Sequence, residues 1–289
     1  MRPTIRPMLL TAFLLFFGSG AQAAITCNAS SPGFSAYYVP ADPINVTQST
    51  VTVSCTRGSV ADAASLTFNV AVNNGLYTAG NPNQARRGGA GGAANRITYD
   101  TYKNSGCTTL WTGTGLGRIS GTITFIGTSL SAATTTSWWG CITSGQTGKN
   151  SGTFTDSVRM TLTLSTGTPT PATSQIAVSI VHPVSCTIAP APATLVFNYT
   201  SLGGASNAST NFGANCTNGM PYTMALDAYG GTLLGLNYTL VLNGGTLGMT
   251  GTGAVQTIPI AGSIAAGQAG TCATATCNAV QGHTLTITY

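Results

Sequence analysis

The side chains of this 289-residue chain equipped for chemistry are eight cysteines, two histidines and five acidic residues, all five of them Asp. A zinc site needs grouped thiolate and imidazole ligands. The chain has no Cys-x-x-Cys pair, and His182 and His283 lie far apart in sequence, so no metal is expected. A hydrolytic carboxylate pair would have to come from Asp42, Asp62, Asp100, Asp156 and Asp227. Asp100 and Asp156 fall inside strand-like motifs, where pairing with an Arg or capping accounts for them. A nucleophilic triad would need one of the two histidines, and neither has a Gly-x-Ser-x-Gly elbow nearby. His182 precedes Pro183 and reads as a surface residue. The Gly-rich run from Gly88 to Gly92 lacks the Lys and the strand–turn–helix setting of a phosphate loop. No enzymatic activity and no cofactor are expected. What remains is disulfide chemistry. Cys27, Cys55, Cys107, Cys141, Cys186, Cys216, Cys272 and Cys277 are even in number and all follow the amino-terminal segment, as in an exported chain.

That segment carries Arg2 and Arg6, an apolar stretch from Met8 to Phe17, and small residues Ala21-Gln22-Ala23 before Ala24. This is the pattern of a secretory signal peptide spanning residues 1–23. The stretch falls short of the ~20 apolar residues needed to cross a bilayer. A formal net charge of +5, with charged residues only 5% of the chain, is too weak and scattered for nucleic acid. Hydroxyls and amides dominate the polar positions, which suits strands rather than long amphipathic helices.

Period-2 alternation runs throughout. It is clear at Val51, Val53 and Cys55, at Leu66, Phe68, Val70 and Val72, and at Val158, Met160, Leu162 and Leu164. It returns at Tyr222, Met224 and Leu226 and at Tyr238, Leu240 and Leu242. The halves repeat one plan. The spacing of Cys27 to Cys55 nearly equals that of Cys186 to Cys216, and Ile97–Asn104 parallels Leu236–Asn243. The fold class is therefore all-β: two immunoglobulin-like antiparallel sandwiches, at 24–166 and 186–289, joined by a linker at 167–185. The expected bridges are Cys27–Cys55 and Cys186–Cys216, with Cys107–Cys141 and Cys272–Cys277 left by elimination.

Three motifs then follow in order: Tyr99-Asp100-Thr101-Tyr102, Trp111-Thr112-Gly113-Thr114-Gly115 and Gly152-Thr153-Phe154-Thr155-Asp156. With the Cys-x-Ile opening at Cys186-Thr187-Ile188, these resemble the spore coat protein U domain family, well in the first half and more loosely in the second. The resemblance implies a relation to subunits of archaic chaperone–usher pili, whose sandwich lacks its last strand and receives it from a neighbour. It further implies a periplasmic chaperone, an outer-membrane usher and a next pilin subunit as partners. The second domain would be the incomplete one.

Only Ala24, Ile25 and Thr26 would separate the expected cleavage site from Cys27, too few for a donor strand. The expectation is thus a tip adhesin, carried through the periplasm to the cell surface or secreted, that mediates surface attachment and biofilm formation. The alternative is a secreted coat or pilus-shaft protein using the same domain twice. Ile176, Val178 and Ile180 form an alternating face ahead of Cys186. They read either as an intramolecular donor strand for the first domain or as a connecting strand of the second. The adhesive loop is placed at Ser129–Gly140, with Trp138, Trp139 and Leu130 as contacts to an abiotic apolar surface or a host glycan. Adjacent strand residues point to opposite faces, so at least one Trp should be exposed, unless one packs on a Cys107–Cys141 bridge. Tyr37, Tyr38, Leu76 and Tyr77 are weaker contacts. Arg86 and Arg87 read as a solvated hairpin tip, or as an anionic-glycan site.

Overall fold

The computed structural model describes residues 25–40, 42–76, 86–88, 96–165, 171–274 and 276–289. The expected signal segment, Tyr77, Gly89–Gly92 and linker residues 166–170 lie outside these, and Arg86–Gly88 is described as backbone only.

The chain is all-β. Its first ten strands are β1 (Thr26–Ser30), β2 (Phe34–Tyr37), β3 (Asn45–Thr56), β4 (Ser65–Val72), β5 (Arg86–Gly88), β6 (Ile97–Tyr102), β7 (Ile119–Thr124), β8 (Ser131–Ile142), β9 (Gly152–Leu164) and β10 (Ala172–His182). They form two sheets, ordered β1-β3-β8-β6-β5 and β2-β10-β9-β4-β7. Inward-facing residues of both sheets make one apolar core that includes Val51, Val53, Phe68, Val70, Tyr99, Trp111, Trp138, Val158 and Met160. Strand alternation produces this directly: the polar neighbours Thr52, Ser54, Thr67 and Asn69 leave the core on the opposite face.

Eight further strands follow: β11 (Cys186–Ile188), β12 (Ser206–Cys216), β13 (Pro221–Leu226), β14 (Gly230–Leu233), β15 (Leu236–Leu242), β16 (Gly248–Thr250), β17 (Val255–Ile264) and β18 (Leu285–Thr288). They form sheets ordered β11-β12-β17-β15-β14 and β16-β13-β18. A second core holds Phe212, Tyr222, Met224, Tyr238, Leu240, Leu242, Ile258 and Ile264. The cysteines pair as Cys27–Cys55, Cys107–Cys141, Cys186–Cys216 and Cys272–Cys277. Cys27 faces Cys55 across β1 and β3, and Cys186 faces Cys216 across β11 and β12, so in each unit the bridge ties the first strand to its ladder partner.

The two units close differently. In the first, β10 lies antiparallel to β9 along its whole length, from Ala172 opposite Leu162 to His182 opposite Gly152. On its other side β10 runs parallel to β2, Val178 meeting Phe34 and Val181 meeting Tyr37. Ile176, Val178 and Ile180 are buried in the first core. Of the two places open to this segment, the structure has it in the first sandwich. In the second unit β18 is an edge strand, paired only to β13 among the described residues. Residues 191–199 belong to no strand, with Leu195, Phe197 and Tyr199 half-buried against the second core and Val196 and Asn198 exposed. Among the described residues, this run has no backbone hydrogen-bond partner.

His182 ends β10 at the junction with the second unit. It is not a surface residue: it is 3% exposed, its ring lies 5.8 Å from that of Tyr38, and its Nδ1 is 2.9 Å from the Asn150 carbonyl. Closure by β10 places it over the core from both sides, which is why an imidazole before a proline is covered. Asn218 of the second unit donates to Asn150 Oδ1 at 2.7 Å and to the Gly148 carbonyl at 3.2 Å.

If β10 is a core strand, Ile180→Ala should cost ~2–5 kcal/mol in denaturant unfolding of the first unit. Ala177→Ser, at an exposed position of the same strand, should change stability by less than ~0.5 kcal/mol.

Candidate functional site

The ladders fix which loops share an end. Thr56 at the end of β3 meets Ser131 at the start of β8, and Ser65 at the start of β4 meets Thr124 at the end of β7. Loops 57–64 and 125–130 therefore lie together, at the end of the first sandwich opposite His182. Apolar side chains project from both: Val60 is 57% exposed, Ile126 83% and Leu130 48%.

These loops are fixed by one buried cation. Arg57 is 4% exposed. Its Nε donates to the Ser129 carbonyl and its Nη2 to the Gly127 carbonyl, both at 2.9 Å, while Nη1 reaches the Val60 and Asp62 carbonyls at 3.5 and 3.4 Å. Its guanidinium carbon stands 4.9 Å from the centroid of the Phe125 ring. The Arg57 amide also donates to the Leu130 carbonyl at 2.9 Å. A planar fork with five donors suits this task, since it serves carbonyls of two loops at once. Asp62 steadies the near loop by accepting from the Ser59 amide at 2.8 Å. Apolar side chains held out on a braced frame lose little further entropy on contact.

The residues expected to be adhesive scatter. Ser131–Gly140 is not a loop but most of β8, a central strand. Trp138 is 0% exposed, so it cannot touch a surface; its ring lies 5.5 Å from that of Trp111 and 6.4 Å from that of Phe34. The physical reason is register: Trp138 faces Ser49 of β3 on the core side, and alternation sends Trp139 out, where it is half-buried. Leu130 stays exposed just before β8. Tyr37 is 72% exposed but lies at the junction end, and Tyr38 is 2% exposed, its hydroxyl accepting from the Gln146 amide. Burial pushes the Tyr38 phenol above its ordinary pKa. Leu76 is 69% exposed, beside Asp156, whose Oδ1 accepts from its amide at 2.8 Å. Val60, Ile126 and Arg57 escaped the sequence reading. The signal was present as single apolar residues inside Gly/Ser loops, Gly58-Ser59-Val60 and Ile126-Gly127-Thr128.

A second polar constellation sits in the other unit. His283 Nδ1 is 2.8 Å from Asp227 Oδ1, and His283 Nε2 is 2.6 Å from the Tyr238 hydroxyl. The hydrogen bond from His283, then that from the Thr284 amide, hold the Asp227 carboxyl below its ordinary range. Among the described residues no three of His, Cys, Asp and Glu gather as a metal site would require.

The family profile described as Spore Coat Protein U domain matches residues 14–161. The chain belongs to this family. No curated protein resembles it closely in sequence. Among solved structures it is similar to a chain of the CsuC–CsuE chaperone–tip adhesion subunit pre-assembly complex from archaic chaperone-usher Csu pili of Acinetobacter baumannii. That match has 12% identity, covers 90% of this chain and 99% of that one, and has a TM-score of 0.44. It is also similar to the CupB6 tip adhesin from Pseudomonas aeruginosa, at 10% identity, 85% and 89% coverage and a TM-score of 0.37.

Arg57→Met should strand several loop carbonyls. It is expected to cost ~2–3 kcal/mol and to speed amide exchange selectively in loops 57–64 and 125–130. A lowered Asp227 pKa contributes stability that is present above the ordinary carboxylate range and is lost as pH falls through the lowered value. Carbon-detected NMR titration should place the Asp227 midpoint below the ordinary ~3.9, and His283→Gln should move it back toward that value.

Proposed function

We propose that this chain is the tip adhesin subunit of an archaic chaperone–usher pilus, exported through the periplasm and displayed at the cell surface, where it mediates attachment and biofilm formation. In this reading the chain has two domains, 24–166 and 186–289, and 167–185 both links them and supplies β10. The observation that carries the reading is the unequal closure of the two sandwiches. The first receives β10 from its own chain. In the second, among the described residues, β18 pairs only with β13 and residues 191–199 have no backbone partner; in this reading the two flank an open lane corresponding to that of β10 between β2 and β9.

An unpaired lane flanked by half-buried Leu195, Phe197, Tyr199, Leu285 and Ile287 is the physical form of a strand acceptor. Covering each of these side chains would contribute ~1 kcal/mol, roughly half the value for a full exposed-to-buried transfer. The ladder adds the backbone hydrogen bonds of the incoming strand. Before a pilin subunit arrives, a periplasmic chaperone would fill the lane, and the usher would host the exchange. Four disulfides suit that oxidising route. The adhesive end is the far pole of the first domain, where Arg57 presents Val60, Ile126 and Leu130. Exposed apolar side chains with few charges around them favour an apolar surface over a glycan, and many tips acting together multiply a weak contact.

Purification of the mature chain with and without its cognate chaperone tests assembly. A soluble one-to-one complex, with the lone chain aggregating, is expected; a stable monomer with two complete domains would sink the pilus reading. For adhesion, the triple variant Val60→Asp, Ile126→Asp and Leu130→Asp should abolish binding to polystyrene while leaving the melting temperature within a few degrees, because all three side chains are exposed. Undiminished attachment would put the adhesive surface elsewhere, and loss of glycan binding alone would make the ligand a saccharide.

A further inference from the structure

The two sandwiches share more than an outline. Ladder register makes Tyr99 and Tyr238 equivalent. Tyr99 faces Ile142, which faces Asn45; Tyr238 faces Ile264, which faces Ser206. The count from Asn45 to Cys55 is the same as that from Ser206 to Cys216. Around each tyrosine stands the same set of partners. The Tyr99 ring lies 5.7 Å from Phe34 at 39°, and the Tyr238 ring 6.1 Å from Phe197 at 37°. Each phenylalanine rests on a glycine of the neighbouring strand. A Cβ at Gly140 would come within 2.7 Å of the Phe34 ring, and one at Gly262 within 2.5 Å of the Phe197 ring. Each tyrosine hydroxyl then reaches a polar group on the far rim: Asp156 Oδ2 at 2.8 Å in the first unit, His283 Nε2 at 2.6 Å in the second.

In the first unit the occupant of this seat is present. Val178 of β10 pairs with Phe34 on one side and Asp156 on the other. Under that cover Phe34, Tyr99 and Asp156 are 4%, 1% and 5% exposed. In the second unit Phe197 is only half-buried and the His283 side chain is 16% exposed.

We propose that Phe197, Tyr238, Gly262 and His283 form a register-setting seat for the strand that enters the second sandwich. This rests on the reading of that sandwich as a strand acceptor. The occupant is a segment of another subunit with alternating apolar residues. It runs parallel to residues 191–199 and antiparallel to β18, and places a β-branched residue, in the manner of Val178, between Phe197 and His283. Gly262 sinks the Phe197 ring so that the incoming residue has room, and the Tyr238 hydroxyl bonded to His283 ties the two rims together. Asp227 holds His283 from outside and acts as a positioning residue. A slip by one residue would turn the apolar face of the incoming strand outward, and the seat discriminates among the remaining two-residue registers by the size of the side chain it admits.

The probe is a synthetic peptide with the sequence of residues 172–182, carrying photo-leucine at the position of Val178 and added to the full mature chain. It is expected to raise the melting temperature and, after irradiation, to cross-link to Phe197, Tyr238 or His283. In the same peptide Val178→Trp should weaken binding at least ~10-fold by overpacking the seat, whereas Ala177→Trp, on the outward face, should not. Binding with cross-links confined to other positions, or equal tolerance of Trp at both sites, overturns the seat and leaves the acceptor reading standing. No binding and no stabilisation overturns the acceptor reading and the seat with it.

Discussion

Everything in this molecule turns on one constraint: a strand whose side chains enter a core must also find partners for its backbone on both edges, or end the sheet there. In the first sandwich that requirement is met from within. β10 supplies hydrogen bonds to β9 on one side and β2 on the other, and covers Phe34, Tyr99 and Asp156 as it does so. In the second sandwich, among the described residues, β18 pairs only with β13 and residues 191–199 have no backbone partner. The consequences separate cleanly, one body being closed and the other retaining a half-covered apolar flank at Leu195, Phe197, Leu285 and Ile287.

Much of this was legible in the residues because period-2 alternation and disulfide spacing are local signals. Val51-Thr52-Val53-Ser54-Cys55 announces its inward face without reference to the rest of the chain, and the matched cysteine spacing reveals the repeat. Alternation also marked Ile176, Val178 and Ile180 as one apolar face. It could not say which core that face enters, because both readings keep the same period; the parallel pairing with β2 decides it, and that is a crossover rather than a pattern.

The exposed apolar pole of the first sandwich was harder to read for a related reason. Two adjacent tryptophans guarantee that one leaves the core if they are on a strand, yet the Thr-rich run before them looks like a loop. It is a strand with a hydroxyl-lined outer face, and the apolar residues that do project, Val60 and Ile126, look like frayed strand ends. Arg57 gave no sequence warning at all. Its partners are carbonyl oxygens of residues far along the chain, and carbonyls carry no residue type. His182 misled similarly, since burial at the end of a strand depends on what residues distant in sequence, here Tyr38 and Asn150, place over it.

The route by which the chain leaves the first sandwich also has a mechanical meaning. The chain passes from His182 into the second sandwich at the very end of β10, an eleven-residue strand flanked by ladders. A pull between an anchored far pole and the second sandwich therefore acts along the strand axis. In that geometry the hydrogen bonds to β9 are loaded in shear and must yield nearly together, instead of unzipping one at a time from an end. The Cys186–Cys216 bridge receives the same tension just beyond the junction and keeps β11 on β12 as it passes. The strand that completes the fold is thus also the tendon through which any load on it must run.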